Sequence, residues 1–470
     1  MADLLDVTID SLDDAGDGLA RAGGVRLRIP FTLPGERVRV QVGVSRHETT
    51  PARVVEVLVA SPERVTPRCS HFGPDAEPGV GPCGGCSWQH IAYPEQLRLK
   101  TDIVDQCVSG AIHGVPAARP MLPSTPLDDP WGYRQKVHFV FGHAPAARRT
   151  NPRVAMGHYV RGTRRVLPVR ECPVHDPRGN ALAFAFGDAF AKAGVAAADA
   201  SGRGVLQGLA IRVGCHTKET MATLVVTSDD DRRVRSATRR AIEQAIEPPT
   251  SFHVNLHARP DGFIFGPDTR RISGPARMRD TANGVSFVMS PTAFFQTNVR
   301  AAEILATLVL EAIPAAARVL DLYAGAGLFA LPLAQRGQQV TAIEENRAAV
   351  EDGLASLRVN RIPPERCRFI ARSVESALPS IKAADAVILD PPRDGCSPGV
   401  LERVFGTIRP ATAVYVSCNP EALGRDLALI TPHGYRVESI QPIDMFPHTA
   451  HVETLVVLTR AEPQSARRPR

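Results

Sequence analysis

At 470 residues the chain is long enough for about three domains, each burying a core of its own. Hydrophobic residues make up 44% and charged residues 22%, a globular balance that excludes a disordered chain. Lys and Arg number 55 against 49 Asp and Glu, an excess of +6 that is too small to select a partner by itself.

The start, MADLLDVTIDSLDDAGDG, is acidic and lacks the basic-then-apolar order of a signal peptide, and the longest uncharged apolar run, Leu322 to Ala334, is too short to span a bilayer. The expectation is a cytoplasmic protein with no membrane segment, a monomer by default. Residues 1–60 alternate apolar and polar side chains in short runs (VTIDSL, GLARAGGVRLRIPF, ERVRVQVGV, ARVVEVL) broken by Gly-Asp-Gly, Gly-Gly and Pro-Gly, the pattern of a small β-barrel. Pro62 and Pro67 mark a boundary. A cysteine-bearing segment follows, then EQLRLKTDIVDQCVSGAI, with the apolar spacing of a helix.

Residues 125–285 read as strand-rich, in KVHFVFG, VAMGHYV, LAIRVGC and MATLVVT. They hold an arginine block, Arg148, Arg149, Arg153, Arg161, Arg164, Arg165 and Arg170, with no acidic residue between. Such a block suits a phosphate backbone about as well as it suits a solvated loop. From residue 286 short apolar runs (RVLDLYAGAG, QVTAIE, DAVILDPP, AVYVSC) are mostly separated by segments that could be helical, which implies a doubly wound parallel sheet in an α/β fold. The expected domains are 1–60, 61–285 and 286–461, followed by a basic tail, 462–470.

The run VLDLYAGAGLFALPLA places Asp321 at a strand end and Gly325 and Gly327 in the turn that opens a helix, where a ligand can approach the backbone closely. Tyr323 lies inside the same turn, and Glu344 closes the next strand, where an acid can accept hydrogen bonds from ribose hydroxyls. NAD is the rival ligand, but GAGLFA has alanine at the third glycine position of the dinucleotide fingerprint. Asp-x-x-x-Gly-x-Gly is similar to the first motif of S-adenosylmethionine-dependent methyltransferases with a doubly wound sheet, so S-adenosylmethionine is the expected cofactor.

DAVILDPPRDG puts Asp390 at a further strand end, with two prolines that stiffen the exit, and AVYVSCNP does the same for Cys418. Ligands of open α/β sheets bind at the carboxyl ends of the strands, so Asp321, Glu344, Asp390 and Cys418 should share one crevice. HTAHVETLVVL then supplies a base: if its strand runs antiparallel to the others, Glu453 faces Cys418, with His448 and His451 as further candidates.

FFQTN (294–298), DLYAGAG, DPPRDG, SCNP and HVET, in this order, closely resemble the RNA uracil-5-methyltransferase family. With the N-terminal barrel and CGGC the resemblance covers nearly the whole chain, and it is closest to the bacterial 23S ribosomal RNA branch, which carries a TRAM domain and a [4Fe-4S] cluster. It implies Cys418 as nucleophile, Glu453 as base, and Gln296, Glu344 and Asp390 around the cofactor and target base. Ala324 stands where the family commonly has Cys, and Ser373 where Asp or Asn is common. The chemistry is coherent on its own terms. Carbon 5 of uracil is a poor nucleophile; thiolate addition at carbon 6 makes an enolate that can take a methyl, and a base must then remove the carbon-5 proton. The target base should be single-stranded or flipped out, with Phe294 as a stacking platform.

Cys69, Cys83 and Cys86 are followed, far downstream, by Cys172. By spacing, four thiolates suit an all-cysteine zinc site and a [4Fe-4S] cluster equally. The resemblance of CGGCSWQH and CPV to the family selects the iron-sulfur cluster, in a structural and RNA-orienting role. It also implies RNA contacts from Tyr133, Arg134 and Lys136 in WGYRQKVHF, and an RNA-binding groove in the barrel to which Arg21, Arg26, Arg28, Arg37 and Arg39 could contribute. The competing readings are a tRNA uridine-5 methyltransferase and a non-catalytic RNA-binding iron-sulfur protein; an exocyclic-amine methyltransferase fits poorly, because it needs no nucleophilic cysteine.

Overall fold

The computed structural model describes residues 4–44, 48–74, 76, 80–143, 154–199, 203–229, 231–245, 247–258, 264–315 and 317–461. Arg148, Arg149, Arg153 and the expected tail lie outside the described residues. The chain packs as two units in which its segments interleave. One comprises Met1–Gln96, Thr125–Met278 and Phe446–Ala450, and the other Leu97–Ser124, Arg279–Met445 and His451–Arg470.

In the first unit, the alternating N-terminal runs form a six-stranded sheet around an apolar core that includes Val7, Leu27, Ile29, Val38, Val40 and Val54. Of the arginines on its strands, Arg39 and Arg37 pair with Asp6 (2.8 and 3.6 Å) and Arg28 pairs with Asp13 and Asp17 (2.8 and 3.0 Å). Arg21 and Arg26 sit directly opposite one another across a two-residue Gly23-Gly24 turn, both exposed. The same unit contains a seven-stranded sheet whose core gathers Phe139, Phe186, Phe190, Leu209, Ile211 and Phe252.

The second unit carries a seven-stranded sheet built from β1 (Arg318–Leu322), β2 (Gln339–Glu344), β3 (Cys367–Ala371), β4 (Ala386–Leu389), β5 (Thr412–Ser417), β6 (Tyr435–Ile443) and β7 (Glu453–Arg460). Their spatial order is β3-β2-β1-β4-β5-β7-β6. The first five strands run parallel, each pair joined through helical crossover, and β7 pairs antiparallel with both β5 and β6. Ala386–Leu389 is buried at every residue and reads as an unbroken apolar run, as a strand covered on both faces must. Strand order reverses beside β1, because β2 lies on one side of it and β4 on the other, and that reversal opens a crevice at the carboxyl ends of the two strands.

A fully buried ion pair fixes the floor of this unit: Lys100 Nζ lies 2.6 Å from Asp444 Oδ1, with no exposure of either side chain. Burial alone would lower the lysine pKa, and the aspartate opposes that. Ser124 Oγ donates to the Asp444 carbonyl (2.6 Å), and Asn298 Nδ2 donates to Ser124 Oγ (2.8 Å) and the Met445 carbonyl (3.0 Å). Lys100→Met, which leaves the aspartate uncompensated, is expected to cost about 3–5 kcal/mol in denaturant unfolding, whereas Lys100→Met with Asp444→Leu should recover most of that loss. Equal losses in the single and double variants would show that packing, not charge, is what matters there.

Candidate active site

Asp321 is fully buried in β1 between Leu320 and Leu322. The chain leaves the strand through Tyr323, held at φ 63°, a left-handed conformation that is costly for a tyrosine, and then through Gly325 (φ 54°) and Gly327 (φ 90°). A Cβ on Gly327 would stand 2.9 Å from Leu331 and 3.0 Å from Phe369, so this turn has room for backbone only. Glu344, at the end of β2, closes the turn by accepting from Gly325 N–H (2.9 Å) and Asn346 N–H (2.7 Å).

The Asp321 carboxylate oxygens are buried without a hydrogen bond of normal geometry among the described residues. Burial, then the negative charge of Asp390 and Glu344, holds its pKa well above the usual carboxylate range, with only partial relief from the Ala330 N–H. Asp390 follows β4, and burial and Glu344 push it up as well. The three expected acids therefore meet in one crevice.

Cys418 and Glu453 belong to the same crevice. In the β5–β7 register Ser417 lies opposite Thr454, so the next residue on each side is Cys418 and Glu453. Cys418 sits between β5 and Asn419, which caps the helix Pro420–Ile430 by accepting from Glu421 N–H (3.1 Å) and Ala422 N–H (3.4 Å). Pro420 suits the first helical position, where its missing N–H is no loss. Asn419 Nδ2 also donates to the Arg393 carbonyl (3.0 Å) and so ties SCNP to the DPPRDG loop. Glu453 is 5% exposed, and burial followed by Asp390 raises its pKa well above normal, while Arg393 pulls it down. Burial and Glu453 push the Cys418 thiol up to about 11, again against Arg393.

Arg393 was legible as a residue of DPPRDG but not as part of the site, since its contribution depends on a loop that Asn419 holds in place. Tyr323 turns its hydroxyl toward Cys396, and burial keeps it protonated. Phe294 is 64% exposed in the loop before Asn298, and Gln296 is half-buried beside it. Phe295 anchors that loop against Phe287, with ring centroids 5.1 Å apart. His448 stacks on Trp131 (3.8 Å), and its two ring nitrogens meet Gln96 Nε2 (3.2 Å) and the Pro130 carbonyl (3.0 Å). It belongs to the first unit as a packed, doubly bonded histidine, not a base.

The first unit also gathers Cys69, Cys83, Cys86 and Cys172. Burial raises all four thiols, Cys83 and Cys172 to about 12, and the charge of neighbouring cysteines adds to the rise at Cys69, Cys83 and Cys172. Arg134 acts in the opposite sense on Cys83, Cys86 and Cys172, and its Nε is buried without a hydrogen-bond partner among the described residues. Backbone N–H groups approach the cluster: Gly85 donates to Cys83 Sγ (3.4 Å). Among the described residues no group of three or more His, Cys, Asp or Glu is arranged to hold a metal ion. Lys136 lies on the half-buried face of its strand, 5.4 Å over the Phe265 ring, and burial lowers its pKa well below normal.

The family model described as tRNA (Uracil-5-)-methyltransferase matches residues 218–461, just over half the chain. An uncharacterized RNA methyltransferase of Gloeobacter violaceus is 34% identical, covering 97% of this chain and 96% of its own length. One from Halalkalibacterium halodurans is 30% identical, covering 97% of each. In fold, the chain is similar to the crystal structure of Pyrococcus abyssi tRNA (uracil-54, C5)-methyltransferase in complex with S-adenosyl-L-homocysteine (TM-score 0.77, 24% identity, 97% of this chain and 99% of that one).

A thiol whose pKa is raised stays protonated below that value, so alkylation of Cys418 by iodoacetamide, read by mass spectrometry on the unliganded protein, should keep rising with pH toward about 11. It should not level off near the free-thiol value of about 8.5. Arg393→Gln should slow alkylation severalfold at any one pH. A plateau by neutral pH would refute this account of the thiol.

Proposed function

The chain belongs to the tRNA (uracil-5-)-methyltransferase family and is an RNA methyltransferase, and on that premise we propose that it methylates carbon 5 of a uridine with S-adenosylmethionine, through a covalent adduct on Cys418. The observation that carries this reading is the pairing of β5 with β7, which sets a thiol and a carboxyl side by side at the mouth of an acid-lined crevice.

The charges of Asp390 and Glu344 add to the raised pKa of Asp321, and that of Glu344 adds to the raised pKa of Asp390, so such a crevice favours a cation. A sulfonium meets that demand and the pyrophosphate of NAD does not. The orphaned Asp321 oxygens and the open space beside Gly325, where an added Cβ would meet nothing within 4 Å, fit a small ligand laid against the backbone. S-adenosylmethionine, when bound, supplies the methyl group. Asp321, Tyr323, Gly325, Gly327 and Glu344 hold it, and Gln296 and Asp390 position it against the base.

Cys418 gives up its proton to water as its sulfur bonds to carbon 6, and the electrons of the carbon 5–carbon 6 double bond move to the oxygen on carbon 4. Carbon 5 then takes the methyl, whose bonding pair stays on the sulfonium sulfur it leaves; Glu453 removes the proton from carbon 5, and the carbon 6–sulfur bond breaks to restore the double bond and release the Cys418 thiolate, which takes a proton back from water. Arg393 favours the charged forms of both Cys418 and Glu453, and the exposed Phe294 ring offers a stacking face to a flipped base. The four gathered cysteines would hold a [4Fe-4S] cluster, with the Arg134 cation offsetting its negative charge.

The favoured RNA is 23S ribosomal RNA, with the N-terminal barrel as a TRAM domain at 1–60 and the cytoplasm as the compartment. No helix among the described residues is long and apolar enough to cross a membrane. A second reading, tRNA, is favoured by the Pyrococcus abyssi tRNA (uracil-54, C5)-methyltransferase, whose structure matches along nearly the whole chain.

Labelled methyl transfer to an unmodified 23S transcript and to unmodified tRNA separates the two. Label appearing as 5-methyluridine in the ribosomal transcript is the expected result; label in tRNA alone would overturn the substrate and keep the chemistry. Cys418→Ala should abolish transfer. Glu453→Gln should leave methylated RNA covalently attached to the protein, visible as a shifted band on denaturing gels, because the adduct cannot eliminate; free methylated product from that variant would remove Glu453 as the base. Anaerobically purified protein should show the broad visible absorption of a cluster, lost in Cys86→Ser, and a colourless, iron-free protein would remove the cluster.

A further inference from the structure

The helix Arg232–Gln244 (RRVRSATRRAIEQ) buries Val234, Ala237, Thr238 and Ala241 against the first unit. The opposite side exposes Arg232, Arg233, Arg235, Arg239 and Arg240. Folding does not call for this arrangement. Arg235 and Arg239 are four residues apart, a like-charge spacing that weakens a helix, and Arg232 and Arg233 stand in the first turn, where the helix dipole favours acids. Two acids offset part of the charge: Asp231 caps the helix and pairs with Arg233 (2.9 Å), and Glu243 lies 3.8 Å from Arg239.

The basic surface continues beyond the helix. Arg270 pairs with Asp229, two residues before the cap, and belongs to the edge strand Asp268–Ser273, which is exposed at all six residues and also carries Arg271. Arginines three and four residues apart along a helix, rising about 1.5 Å per residue, offer a row of cations to an extended polyanion.

We propose that this ridge, Arg232, Arg235 and Arg239 with Arg270 beside them, docks the phosphate backbone of structured RNA outside the reacting nucleotide. The proposal rests on the reading of the chain as an RNA methyltransferase. Phosphate contacts of this kind carry no sequence information, so the ridge sets affinity and register, and the crevice sets the chemistry.

The test is binding of the unmodified 23S transcript and of unmodified tRNA across a salt series, for the wild type, for Arg232→Gln/Arg235→Gln/Arg239→Gln, and for the same three positions changed to Lys. With the Gln variant, the apparent Kd for the preferred RNA should rise roughly tenfold near 0.1 M salt, and the log–log salt slope should fall by about two to three. The Lys variant should keep the slope, and kcat at saturating RNA should not change in either. An unchanged Kd and slope in the Gln variant, or an equal loss in the Lys variant, would overturn the proposal. A failure of the methyltransferase reading shows separately, as a wild type that transfers no methyl to either RNA.

Discussion

The antiparallel pairing of the last strand is the constraint on which the site depends. In a sheet whose other members run parallel, only a reversed strand can bring its beginning to the edge where its neighbours end, and β7 does this beside β5. Side chains alternate along a strand, so a register slip of one residue would turn Glu453 to the other face and leave Cys418 without its partner. The register is locked from both sides, since β7 is also paired along its whole length to β6. Leu455, Val456 and Leu458, all but fully buried, make any slip expensive.

That geometry concentrates acids. Asp321, Glu344, Asp390 and Glu453 lie close enough that burial and mutual repulsion raise three of them, and the same field keeps the Cys418 thiol protonated. Arg393 is a counterweight within the protein, acting on both Cys418 and Glu453, and it is placed by a single amide, Asn419, which caps a helix with its oxygen and holds the Arg393 carbonyl with its nitrogen. Asn419 thus does two jobs that would otherwise need two residues.

Much of this was legible in the chain because strand ends announce themselves. DLYAGAG, DPPR and SCNP each close an apolar run with a residue that cannot continue a ladder or needs an unusual backbone, so the pattern alone puts the acids and the thiol at one edge. What pattern could not show is contact across loops. In KVHFVFG the strict alternation was readable, but whether the Lys136 face met solvent or Phe265 was not, and the lysine is half-buried. His448 was a further candidate base in the sequence; its ring packs between Trp131, Gln96 and Pro130. The gathering of Cys172 with three cysteines far upstream likewise depends on tertiary structure: the Arg134 backbone pairs with Val174 (2.9 Å), and Asn180 holds the Cys172 carbonyl (2.9 Å).

The acid-lined crevice and the arginine ridge proposed to dock RNA are built on different elements. Acids and a thiol in the second unit make an environment that repels polyanions and welcomes a small cation, whereas exposed arginines gather on the first. An RNA enzyme needs both, because a crevice positive enough to grip phosphate would disfavour a sulfonium, and one negative enough for the sulfonium would repel the backbone carrying the base. Placing the proposed phosphate-docking charge on separate elements would resolve the conflict: only a flipped nucleobase would have to enter the acidic crevice, and its ring brings no charge of its own.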